Sequence, residues 1–145
     1  MPSISMSRDE REAFVADVHI GVLSVADPGR GPLTVPIWYA YEPGGEVSFL
    51  TGTGTRKADL LRKAGRASLC VQIETAPYAY VTVEGPVSVS DSFDPEERKS
   101  TAERYLGPDF GAIHLAATEQ EAADNVTVRL RPERWLTVDY SKQLG

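Results

Sequence analysis

Seven consecutive residues, Thr51-Gly-Thr-Gly-Thr-Arg-Lys57, carry the densest chemistry in the chain. An apolar run ends at Thr51, the backbone turns through two glycines, and a helical pattern opens at Thr55 with two cations in its first turn. A helix N-terminus presents unpaired N–H groups and the positive end of the helix dipole, so hydroxyls and cations gathered there make a phosphate cradle. Arg56 can take two phosphate oxygens at once, and Lys57 adds a point charge. The same residues could instead form a solvated helix face. Cations at a helix start oppose the dipole, however, at a cost of a few tenths of a kcal/mol unless an anion joins them. Other nucleotide motifs fail on spacing. A P-loop needs G-x-x-x-x-G-K-[ST], and a dinucleotide fingerprint needs a third glycine where Lys57 stands.

The segments around this turn must hold it in place. Ser7-Arg-Asp-Glu10 is a capping box, predicting a helix to about Asp17. Residues 19–26 (HIGVLSVA), 33–41 (LTVPIWYAY) and 47–51 (VSFLT) are β-rich and separated by DPGRG and EPGGE turns, which predicts an antiparallel meander. Residues 55–64 have Ala58, Leu61 and Ala64 at helical spacing, with Gly65 as the stop. Two strands follow at 66–74 and 78–90, hinged near Ala76-Pro77. Asp94-Pro-Glu-Glu97 caps a helix to about Leu106. Residues 108–124 read as a further helix, and strands at 126–130 and 135–140 close the chain. The pattern predicts a mainly β, α+β domain over residues 1–145. Its six to seven antiparallel strands form a closed or partly closed barrel, which removes exposed edges, with a few peripheral helices.

Composition excludes several classes. A net charge of -6 and a pI near 4.9 argue against nucleic-acid or anionic-membrane binding, which needs clustered positive charge. No apolar run approaches the roughly 20 residues of a bilayer span, and the first fifteen residues lack the apolar stretch of a secretory signal. A single cysteine, Cys70, rules out an intrachain disulfide and a zinc cluster. A cytoplasmic protein is the expectation.

The ordered motifs across residues 33–85 resemble the pyridoxamine 5′-phosphate oxidase-like, flavin-binding split-barrel superfamily. They are P-I-W-Y, F-L-T-G before the turn, T-R-K-A at the helix start, L-L-R-K-A-G-R-A-S-L-C-V, and Y-V-T-V-E-G. The resemblance implies a split barrel in which backbone of Val35, Pro36, Ile37 and Trp38 lies along the flavin ring. Leu50 and Thr51 touch the cofactor, and Thr55, Arg56 and Lys57 bind its phosphate. It also implies a homodimer with the site between protomers, where Tyr80 of the second copy approaches the ring. True pyridoxamine-phosphate oxidases carry a C-terminal arginine–histidine motif for the substrate phosphate. Residues 135–145 (WLTVDYSKQLG) hold no histidine, which points away from pyridoxine chemistry. Shorter relatives include many proteins that bind the deazaflavin F420 and reduce electron-poor small molecules. The expected activity is therefore an F420-dependent, alternatively FMN-dependent, oxidoreductase. The cofactor carries the hydride chemistry, and no side chain need act as acid or base. The rival expectation is a non-catalytic carrier or sensor of flavin or haem.

The remaining residues have blander readings beside functional ones. Lys57, Arg62 and Arg66 could form a positive track for the acidic tail of F420, or a solvated face. Trp38 could wall the ring pocket or fill the barrel, and Trp135 reads as rim packing. Glu84 is expected to point outward, since burying an acid is costly. Cys70 reads as a buried small hydrophobe, and Phe93, Tyr105 and Phe110 as helix-to-barrel packing. His19 and His114 lie in unrelated segments without a nucleophile motif, and neither is expected to build a triad, metal site or haem site.

Overall fold

The computed structural model describes residues 3–144. Seven strands form one antiparallel, curled sheet: β1 (Gly21–Val25), β2 (Leu33–Ile37), β3 (Val47–Gly52), β4 (Arg66–Ile73), β5 (Ala79–Val89), β6 (Asn125–Leu130) and β7 (Arg134–Asp139). Their spatial order is β2-β1-β4-β5-β6-β3, with β7 paired to β5. Helices α1 (Arg8–Ala16), α2 (Arg56–Ala64), α3 (Pro95–Ala117) and α4 (Glu119–Ala122) complete it. The result is mainly β with peripheral helices, a half-barrel as the turn-and-strand pattern predicts.

Strict alternation decides which face is inside. Leu23, Val25, Phe49, Leu69, Val71, Val81, Val83, Val128 and Leu130 are buried, while their sequence neighbours on these strands face outward or meet a helix. Each fully buried Val or Leu contributes roughly 1.5–3 kcal/mol. Val15 of α1 and Leu61 of α2, neither accessible to solvent, join the same cluster. The capping box is formed: Ser7 Oγ accepts from the Glu10 amide, and the Ser7 amide donates to the Glu10 carboxylate.

The long strand β5 makes the barrel split. Residues 79–84 pair with β7, and residues 87–89 pair with β6 on the same edge. Gly85 sits at the crossover. A Cβ there would lie 1.8 Å from the Arg131 carbonyl oxygen, so no other residue fits without moving the backbone. The opposite seam is closed by a single bridge, in which Ala40 and Ser48 exchange N–H···O bonds of 2.8 and 2.9 Å.

One element differs from the sequence reading, and the paired helices after Asp94 follow it. The strand expected over 33–41 stops at Ile37. Ile37 and Tyr39 point into the core, whereas Trp38 turns out onto α3, stacked on Tyr105 with ring centroids 5.0 Å apart. The helix capped by Asp94 meets Gly107, whose φ of 79° lies in the left-handed region, and Pro108 begins a second segment. That segment folds back until Gly111 reaches the backbone of Ala102 and Glu103. α3 is therefore a helical hairpin.

Candidate functional site

The turn before α2 is built by its own hydroxyls. Thr55 Oγ1 accepts from the Ala58 amide at 3.2 Å and donates to the Gly52 carbonyl at 2.8 Å. A cap of this kind contributes about 1 kcal/mol. Arg62, one turn further along α2, donates to the Thr53 carbonyl at 3.0 Å and to its hydroxyl at 2.8 Å. Thr51 is buried below, its hydroxyl 3.4 Å from that of Thr55.

This fixed turn carries Lys57 to the edge of a cleft of about 330 Å³. One wall comes from the sheet side: Pro36, Ile37 and Trp38 at the end of β2, Leu50 of β3, and Lys57. The other comes from the helical hairpin and α4, including Arg98, Thr101, His114, Thr118 and Glu121. Among the described residues no carboxylate lies within ion-pair distance of Lys57. Burial holds its ammonium below the ordinary lysine pKa, because a desolvated cation is disfavoured. An anion beside it would restore the lost solvation. The cleft's second cation, Arg98, donates to the Leu115 carbonyl (3.0 Å) and the Thr118 hydroxyl (2.8 Å), tying one arm of the hairpin to the other.

The predicted site residues separate into three groups. Pro36, Ile37, Trp38, Leu50 and Lys57 line the cleft together. Thr51 and Thr55 stand behind it as the frame of the turn, and Val35 packs its side chain against the core. Arg56 and Tyr80 lie elsewhere. Arg56 is ion-paired with Asp27 in the β1–β2 turn, which among the described residues leaves Lys57 as the cation of the cradle without a carboxylate partner. Tyr80 is half-buried on the outer face of the sheet, opposite Gln72 and Val138 and three strands from β2. The positive track beyond Lys57 is not continuous, because Arg62 is spent on Thr53 and Arg66 on Glu133 at 2.9 Å.

Other readings resolve as follows. Trp38 walls the cleft and does not fill the barrel. Glu84 faces outward, 3.9 Å from Arg134. Trp135 packs at the rim, with the Arg11 guanidinium 4.6 Å above its ring. Cys70 is only half-buried, on the outer sheet face between Val22 and Thr82. Phe110 is 70% exposed and does not pack on the barrel. Arg98 and His114 were not legible as site residues. Their signal was the Gly107-Pro108 break, which folds the helix back over Trp38.

An antiparallel half-barrel with peripheral helices is the architecture of the split barrels, and the comparisons agree. The sequence profile of the pyridoxamine 5′-phosphate oxidase family matches residues 7–139. The chain belongs to that family. A conserved hypothetical protein from Mycobacterium tuberculosis superposes with a TM-score of 0.78 at 26% identity, covering 100% of this chain and 92% of that one. A FAD and heme binding protein from Mycobacterium smegmatis gives 0.68 at 19% identity over 93% of this chain and 72% of that one. A protein described as an F420 reductase gives 0.62 at 18% identity, covering 94% and 98%. No curated protein matches the chain in sequence. Among the described residues no helix is long and apolar enough to cross a membrane.

Proposed function

We propose that the protein is a flavin- or deazaflavin-dependent oxidoreductase that takes F420, with FMN as the alternative, and reduces a small organic acceptor. The observation that carries this reading is Lys57, a partly desolvated ammonium that among the described residues has no counter-ion, at the mouth of a cleft lined by Pro36, Ile37 and Trp38. Such a cation suits a phosphate, and the flat strand end beside it suits a planar ring system. A second cation in the same cleft, Arg98, favours the more acidic of the two cofactors. When bound, the cofactor supplies hydride chemistry; the chain supplies grip, orientation and exclusion of water.

The reading includes a homodimer in the cytoplasm. Support for the dimer comes from the outer sheet face, where Pro36, Val22, Cys70, Thr82 and Leu136 form one cross-strand row. Leu136 is 59% exposed, and the row runs from the cleft edge at Pro36. A second copy on this face would bring a tyrosine such as Tyr80 towards the cleft. Light scattering should give twice the 15.8 kDa chain mass; a monomer at micromolar concentration removes the shared site.

The deciding experiment is fluorescence titration of the purified protein with F420 and with FMN. Lys57→Ala should weaken binding by about 1.5–3 kcal/mol, the range for hydrogen bonds to charged groups, and leave the unfolding midpoint unchanged. Equal affinity in both proteins overturns the assignment. Tight binding without turnover on quinones, enones and nitro compounds would make the protein a carrier or sensor.

A further inference from the structure

We infer that His114 is the proton donor to the acceptor in this cleft. The inference rests on the oxidoreductase reading and extends it to the wall opposite Lys57. Reduction of an electron-poor C=C, C=O or nitro group leaves negative charge on the acceptor. The acceptor gains an electron pair as hydride from the reduced cofactor, which is thereby oxidised. The anion left on the acceptor then takes one proton, and the donor regains one from solvent.

The helix-side wall offers few groups that could give that proton. The Arg98 guanidinium is held by Leu115 and Thr118 and does not release protons near neutrality. The Thr118 hydroxyl donates to the His114 carbonyl at 2.7 Å. Thr101 brings a second hydroxyl, which can donate a hydrogen bond but not give up a proton near neutrality. Glu121 is exposed, and a carboxylate beside the acceptor would repel the anion left on it. His114 remains. An imidazole gives and regains protons between about pH 5 and 8. Among the described residues its ring nitrogens have no hydrogen-bond partner.

Aromatic packing sets its position in the closed cleft. The His114 ring lies 5.2 Å from that of Trp38, tilted by 53°, and Trp38 is backed by Tyr105 in parallel stacking. The Tyr105 hydroxyl is anchored in turn, donating to the His19 carbonyl at 2.7 Å and accepting from the Tyr39 amide at 3.0 Å. The imidazole thus stands over a stacked aromatic pair in a cleft whose other charged groups are Lys57, Arg98 and Glu121. Two cations against one carboxylate favour an anion there.

4-Nitrophenol tests the inference on the cofactor-free protein, because its neutral and ionised forms absorb at different wavelengths. At a pH where both forms are present free in solution, the wild type should bind it as phenolate. His114→Gln should bind it roughly tenfold to a hundredfold more weakly, the range for a charge-assisted hydrogen bond, and with a smaller enrichment of the phenolate. The His114 ring resonances of the wild type should move on adding the probe. Failure of wild type to bind the probe, equal phenolate fractions in both proteins, or unmoved ring resonances each overturns the assignment. Titration of the wild type with F420 and FMN separates the two readings. A wild type that binds neither cofactor defeats the oxidoreductase reading, and with it the donor role that rests on it. Phenolate capture would then stand only as anion binding at His114.

Discussion

The two walls of the cleft are held by different kinds of structure. On the sheet side, Pro36, Leu50 and Lys57 hang from strands whose inward residues form the core, and from a turn tied by Thr55 and Arg62. On the helix side, Arg98, His114 and Thr118 belong to a hairpin held by the Arg98 bonds, by Gly111 on Ala102, and by Tyr105 on Trp38. One wall is continuous with the most stable part of the molecule. The other is a local unit with few buried apolar contacts, the kind of element that opens at low free-energy cost. Under the proposed function, one fixed wall and one yielding wall would let the cleft admit a large cofactor and a second molecule.

Gly85→Ala should break this contrast most severely. The added Cβ would overlap the Arg131 carbonyl, forcing β5 and β6 apart where the two halves of the barrel meet. A loss of about 3 kcal/mol, at the top of the overpacking range, is expected in chemical denaturation. Unchanged stability would mean that the crossover relaxes freely and the sheet-side wall is softer than described.

Arg98→Met sharpens the contrast. It removes two hydrogen bonds within the hairpin and leaves the barrel untouched. Hydrogen exchange of amides 109–118 should quicken roughly tenfold, the equivalent of about 1.5 kcal/mol of local opening. Amides of β4 and β5 should keep wild-type rates. Acceleration throughout the chain would show that the two walls open as one unit.

The smallest effect belongs to a tie outside both walls. Glu10 Oε1 accepts from Lys142 Nζ at 2.8 Å and from the Ser7 amide. The lysine contact and the cap together hold its pKa at about 2, below the ordinary 4.5. A carboxylate depressed on folding contributes stability above its unfolded pKa, and loses it as pH falls from about 4.5 towards 2. Lys142→Ala should therefore leave stability unchanged at the acid end, lower it slightly at pH 7 because the pair is exposed, and so flatten the acid limb between them. Hydrogen exchange in both walls should be the same as in wild type.

These differences also explain what could be read from the residues alone. The strands were legible because alternation of period two leaves one face apolar, and the Thr55 turn because capping chemistry is local. The Asp27–Arg56 pair was not, since it joins residues 29 apart through the pairing of β1 with β2 and the placement of α2. Nor was the turn of Trp38 out of the strand, because the partner that draws it, Tyr105, lies on the hairpin. His114 entered the cleft for the same reason. Gly107 and Pro108 announced a break, but its direction depends on where Gly111 can approach another backbone.

Tyr39 has one more consequence. Its phenol is buried in the barrel and donates to the Val15 carbonyl at 2.7 Å. Burial, reinforced by the neighbouring Tyr105, raises its pKa well above the ordinary value, against a smaller opposing pull from Arg104. A group raised in the fold keeps its neutral form there, so its contribution to stability fades as pH climbs past about 10, the unfolded value. Of the six tyrosines, this one makes a built-in indicator dye. Its ultraviolet phenolate band should stay silent through an alkaline titration until the end of α1 lets go of the barrel, and then report that release.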